Sequence, residues 1–161
     1  MRRKNIFGVY GLAALGLFIL PNLADAQQKP ASELIVGNWT LMIADNVRPD
    51  GTNTPGFGPL PSGTATFSAD GHYSLQIAPS STNEKAEGYV PVRERGTYTL
   101  DESQKTLSLR IEEGSVPSWS GTVQTGKIKF LAADDLGWTN SVPLTTASGF
   151  AVTDLIWRRA K

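Results

Sequence analysis

The sequence predicts an all-β domain, an antiparallel up-and-down barrel of about eight short strands. Two observations carry that expectation. Along most of the chain apolar residues recur at every second position, the spacing of a strand with one buried face. Clusters of Gly, Pro, Asp, Asn and Ser punctuate these runs at short intervals, as turns between neighbouring strands require. A third observation is negative: beyond residue 30 no stretch keeps a helical period, and no internal repeat occurs.

The elements follow in order. Residues 1–26 read as a signal peptide outside the fold. Arg2, Arg3 and Lys4 form a basic start, Ile6 to Leu20 is an uncharged apolar run, and Ala24-Asp25-Ala26 fits a small-residue cleavage site. The apolar run is shorter than the roughly 20 residues a membrane span needs, so no integral membrane segment is expected after cleavage. Export to the periplasm or beyond follows, with residues 27–161 as one domain. Gln28 to Glu33 suits a turn of helix over one barrel end.

Strand expectations begin with Trp39, Leu41 and Ile43, which alternate with Asn38, Thr40 and Met42. Ala65 and Phe67 come next, then a tight turn at Ser68-Ala69-Asp70-Gly71, where Gly supplies a positive φ. Tyr73, Leu75 and Ile77 form one face of the following strand. Tyr98 with Leu100, then Leu107, Leu109 and Ile111, then Ile128 with Phe130 continue the pattern, and Phe150 to Arg159 closes it. Two segments break the rhythm, Asp45 to Ser62 and Ala78 to Pro91, both read as long loops. The segments holding Trp119 (VPSWSG) and Trp138 (DLGWTN) read as irregular.

Charge excludes several function classes. The chain carries 15 basic and 15 acidic residues; loss of Arg2, Arg3, Lys4 and Asp25 leaves 12 and 14, a net charge of about −2. No Lys/Arg cluster remains, so nucleic acid and polybasic membrane binding have no electrostatic footprint. There is no Cys, and therefore no disulfide or lipid-modified Cys. With one His and no acidic cluster at ligand spacing, no metal or other cofactor is expected. His72 stands alone on a polar face, and Ser118 and Ser120 have no neighbouring base, so no catalytic residue is assigned. Asp101-Glu102, Glu112-Glu113 and Asp134-Asp135 read as solvated turns or strand ends.

Gly37-Asn38-Trp39 opens the first strand, and Trp157-Arg158-Arg159 ends the last. In an up-and-down barrel these strands are neighbours, so Trp39 can plug one end while Arg158 or Arg159 covers its ring. Gly37-x-Trp39 with a late Arg, the Gly58-Pro59 loop, GTATFSADGHYSLQI, GTYTLDESQKTLSL and VPSWSG together resemble the lipocalin-like domain proteins of bacteria and fungi. The resemblance implies a calycin-type barrel with a cavity open at one end. It also marks a departure, since Arg110 stands where the resembling sequences often carry a His.

The function expected is binding of one small hydrophobic or amphiphilic ligand. Barrels of this size hold either their own side chains or a single small molecule. Candidate contacts are Phe67, Tyr73, Leu75, Tyr98, Leu109 and Phe130, with Trp119 and Trp138 at the mouth. Arg110 joins them if its strand turns it inward, with Asp154 as partner; strict alternation turns both outward instead. The alternatives are a small barrel enzyme of isomerase or cyclase type, using a Tyr or Arg110, and an envelope interaction protein whose barrel is filled.

Overall fold

A computed structural model describes residues 29–47, 50–58, 60–79, 91–132, 134–145 and 151–161, with backbone alone for 142–145 and 151–153. The signal-peptide expectation and most of the Ala78 to Pro91 loop lie outside the described residues. Helix α1 spans Ala31–Ile35. Nine strands follow: β1 Gly37–Val47, β2 Asn53–Pro55, β3 Ser62–Phe67, β4 His72–Ala78, β5 Val92–Asp101, β6 Thr106–Gly114, β7 Val123–Ala132, β8 Asp135–Thr145 and β9 Ala151–Arg159. A 3-10 turn at Pro117–Trp119 joins β6 to β7.

Every ladder is antiparallel. β1 pairs with β3, each later strand pairs with its predecessor, and β9 returns to β1 to close an eight-stranded barrel. β2 is the extra strand, paired to the far part of β1 through Asn46↔Thr54. The Asp45 to Ser62 segment is therefore not a plain loop. It carries strand pairing of its own and buries Phe57 in the core.

Chain direction sorts the molecule into two ends. Helix α1, the hairpins β3–β4, β5–β6 and β7–β8, and the C-terminus share the closed end. Strands β1, β4, β6 and β8 end, and β3, β5, β7 and β9 begin, at the other, the loop end. At the closed end, Gly71 (φ 87°) allows a tight turn in which its N–H donates to the Ser68 carbonyl at 3.1 Å.

The closed end also answers why a Gly precedes the first Trp. Gly37 has φ 134°, and a Cβ there would stand 2.8 Å from Arg159 Nη1. The missing side chain admits the Arg159 guanidinium, whose centre lies 4.3 Å from the Trp39 ring centroid. The same guanidinium donates to the carbonyls of Leu34 and Val36, and Trp39 Nε1 donates to Ile35 O at 2.8 Å. Arg159, not Arg158, covers Trp39. Arg158 points outward and pairs with Asp135 at 2.8 Å. Helix α1 matches the expected turn of helix in place, beginning three residues and ending two residues later than Gln28 to Glu33. The Glu102 carboxylate, on the β5–β6 hairpin, accepts from the N–H groups of Ser32 (2.6 Å) and Ala31 (3.1 Å), which pins the helix across the end.

The alternation places Ala65, Phe67, Tyr73, Leu75, Ile77, Leu107, Leu109, Ile111 and Ile128 inside, as expected. One position differs. A bulge between Leu41 and Ile43 turns Met42 and Ile43 both outward and brings Ala44 in. A second bulge on β6 puts Glu112 and Glu113 both on the outer face.

Candidate functional site

The interior differs between its two ends. Towards the closed end it is filled by rings. Phe67 meets Tyr98 edge-on at 5.1 Å and Tyr73 at 6.2 Å, and Trp39 meets Phe130 at 6.4 Å. The Tyr98 hydroxyl donates to Ser68 O at 2.8 Å, which ties it to the β3–β4 turn. Phe67, Tyr98 and Phe130 thus pack with Trp39 and Tyr73 towards the closed end of the interior.

Towards the loop end, polar atoms project inward. On β5, Val92, Glu94 and Gly96 share a face with Tyr98, and Glu94 is buried. The Tyr73 hydroxyl on β4 donates to Glu94 Oε1 at 3.4 Å, a long contact, while Oε2 is buried with no hydrogen-bond partner. Desolvation pushes the Glu94 carboxyl from 4.5 to about 7, only partly offset by the Tyr73 hydrogen bond. Desolvation first, then the Glu94 charge, raises the Tyr73 phenol as well.

Two further orphans face the same interior. Gln124, at the loop end of β7, has a buried Oε1 without a partner, and so has Nε1 of Trp138 on β8. The Trp138 indole lies over Gly126, where a Cβ would meet Nε1 at 1.8 Å. Gly126 is two residues from Gln124, and its pair partner across the ladder is Asn140, a buried polar residue. The glycine is what lets the indole nitrogen reach the level of Gln124 and Asn140.

The expected site residues therefore divide. Tyr73, Leu75, Leu109 and Trp138 face the interior beside these polar atoms. Trp138 is not in an irregular segment: it sits in β8 and is 2% exposed. Trp119, in the 3-10 turn at the loop end, is half-buried against the core. Arg110 is exposed on the outer face, because Leu109 and Ile111 on either side of it point in. Asp154 alternates with the inward Leu155 and is half-buried, with Oδ1 buried and without a hydrogen-bond partner among the described residues, and no Arg110–Asp154 ion pair forms. Asp134 and Asp135 are not merely solvated, since they pair with Arg159 (3.6 Å) and Arg158. His72 has a partner after all, Asp70 at 3.2 Å, with both side chains well exposed.

Glu94, Gln124 and Asn140 went unnoticed in the alternation because polar residues at inward positions look like breaks in it. Counting back from Tyr98 by twos reaches Gly96 and Glu94, which is the signal that finds the carboxyl. Two open grooves of about 560 and 590 Å³ share Thr64, Gln76 and Arg93. The first reaches the buried Leu75 and Glu94 between exposed polar side chains such as Ser74, Arg95 and Glu113, and the second reaches Leu41 and Ile77. Among the described residues no group of three or more His, Asp or Glu is placed to hold a metal ion. No described helix is long and apolar enough to cross a membrane.

No protein-family model matches the chain, and no curated protein matches it. Among solved structures it is similar to a redesigned β-barrel at 15% identity and TM-score 0.46, over 82% of this chain and 96% of that one. It is also similar to the redesigned β-barrel mFAP1, bound to DFHBI, at 18% identity and TM-score 0.42, over 81% of this chain and 100% of that one.

Proposed function

We propose that this protein is an exported lipocalin-like barrel that binds a small apolar or amphiphilic molecule in its interior, entered from the loop end. One observation carries the reading: buried polar atoms on β5, β7 and β8 face an otherwise apolar interior and have no partner among the described residues. A barrel filled for stability alone gains nothing from such groups, since each unpaired one costs about 1–3 kcal/mol. A guest with a few polar atoms and an apolar body satisfies them and buries its own surface. The Gly37–Trp39–Arg159 closure supports the lipocalin-like assignment. The basic start and Ala24-Asp25-Ala26 support export and cleavage after Ala26.

Native mass spectrometry of the mature protein, purified from its own envelope without detergent, tests this. The expected result is a chain beginning at Gln27 with a reproducible added mass that organic solvent releases. A bare mass, together with a melting temperature that neither octanol nor Nile red raises, overturns it, because a ligand bound only by the folded state must raise that temperature.

A further inference from the structure

We propose that the barrel interior selects its ligand by a protonated amine, which docks on Glu94 while the hydrocarbon part lies along Leu75, Leu109 and Trp138. The inference rests on the interior-binding reading above and adds the chemistry of the head group.

Glu94 is the only acidic side chain among the buried described residues, and no buried basic residue accompanies it. Arg159, the one basic side chain among the described residues that is not exposed, is committed at the closed end to Trp39, two carbonyls and Asp134, and Arg93 and Arg95 on either side of Glu94 turn to the outer face. Tyr73 from β4 is the titratable group in contact with Glu94. The inward faces of β6 and β7 present Leu109, Ile111, Gln124 and Gly126, none of them titratable. Glu94 thus has apolar neighbours on its inward side, Arg93, Arg95 and Glu113 around the groove that reaches it, one long hydrogen bond and one oxygen unused.

A buried carboxylate in such surroundings is unfavourable unless it meets a cation or donors. The partnerless interior oxygens, Glu94 Oε2 and Gln124 Oε1, are both acceptors. An ammonium group brings three donors and a charge, whereas a hydroxyl brings one donor and a carboxylate brings a repelling charge. Trp138 Nε1, a donor, remains for an acceptor elsewhere on the molecule. An amine of unperturbed pKa near 10 stays charged at neutral pH.

Octylamine, octanol and octanoate share one tail and differ at the head. Titration calorimetry of the mature chain with each, repeated on Glu94→Gln, tests the proposal. The expected result is octylamine binding about tenfold or more tighter than octanol, octanoate weakest, and the amine preference lost in Glu94→Gln. Calorimetry of the unaltered protein at pH 6 in two buffers of different ionisation enthalpy gives a second reading that needs no variant. The amine displaces the Glu94 proton into the buffer on binding, and octanol displaces none. Binding of octylamine and octanol with equal affinity, or amine binding without proton release, overturns the amine assignment while leaving interior binding intact. If no octyl probe binds at all, the interior-binding reading fails and this one fails with it.

Discussion

Trp39 shows how one side chain organises an end of the barrel. Its ring is 1% exposed, covered by Arg159 on one side and near Phe130 on another, and its indole N–H is bonded to Ile35 O. Trp39→Ala removes all of these contacts, and a loss of about 3–5 kcal/mol is expected, the range for truncating a large buried aromatic. Gly37 acts through the same contact. An Ala there has an unfavourable φ and crowds Arg159 Nη1, so Gly37→Ala should cost about 1–3 kcal/mol although nothing is deleted. Urea denaturation of both variants checks the pair. If Gly37→Ala is neutral, the glycine is not what admits the guanidinium.

Strands β5 and β6 illustrate the next scale. Their ladder shifts register between Arg95 and Gly96, and the backbones approach so closely there that a Cβ on Gly96 would stand 1.9 Å from Arg110 O. The bulge sends Glu112 and Glu113 outward together, where Glu113 pairs with Arg95 at 2.7 Å. It also sets the register that pairs Glu94 with Gly114. Gly96→Ala has no local relief, because the obstacle is backbone rather than a flexible side chain. We expect a loss of about 1–3 kcal/mol, the usual cost of overpacking, together with weaker ligand binding as β5 shifts. Gly137→Ala serves as the comparison, since a Cβ there meets nothing closer than 3.5 Å and its φ is not positive. A Gly96→Ala protein as stable as the Gly137→Ala protein would argue against the close approach.

For the whole molecule, pH draws together groups at opposite ends. At the loop end, the Glu94 carboxyl is raised from 4.5 to about 7, so the folded state holds its proton more tightly than the unfolded chain does. That stabilisation is complete below about pH 4.5 and lost as pH rises to about 7, amounting to about 3 kcal/mol at 1.36 kcal/mol per pH unit. At the closed end, the Ser32 backbone N–H foremost, with Ala31 and Lys105, holds the Glu102 carboxyl down at about 2. Its stabilisation is present above about pH 4.5 and lost as pH falls towards 2. Stability should therefore be greatest near pH 5 and decline in both directions. Glu94→Gln should flatten the alkaline limb and leave the acid limb in place. Chemical denaturation at pH 3, 5 and 8 separates the two limbs. An alkaline limb unchanged by Glu94→Gln would mean that another group carries it.

The sequence by itself determined which residues face inward on most strands, where the β3–β4 hairpin turns, and that Gly37, Trp39 and a C-terminal Arg belong together. The first two follow from period-two burial and from local backbone chemistry, both of which act over a few residues, and the third from the adjacency of the first and last strands in an up-and-down barrel. The tertiary structure alone decided the rest. The bulge after Leu41 reversed the face of Ile43, because a single extra residue changes parity and leaves no mark in composition. Closure of β9 on β1 chose Arg159 over Arg158, since only the residue paired with Trp39 stands on its face of the sheet. Gly126 gave the Trp138 indole its place, a fit between two strands that neither segment announces. Glu94 acquired its character in the same way. Its inward position was countable along β5, but its lack of a buried cationic partner among the described residues depends on what the other seven strands of the barrel present, and only the closed barrel brings those faces together.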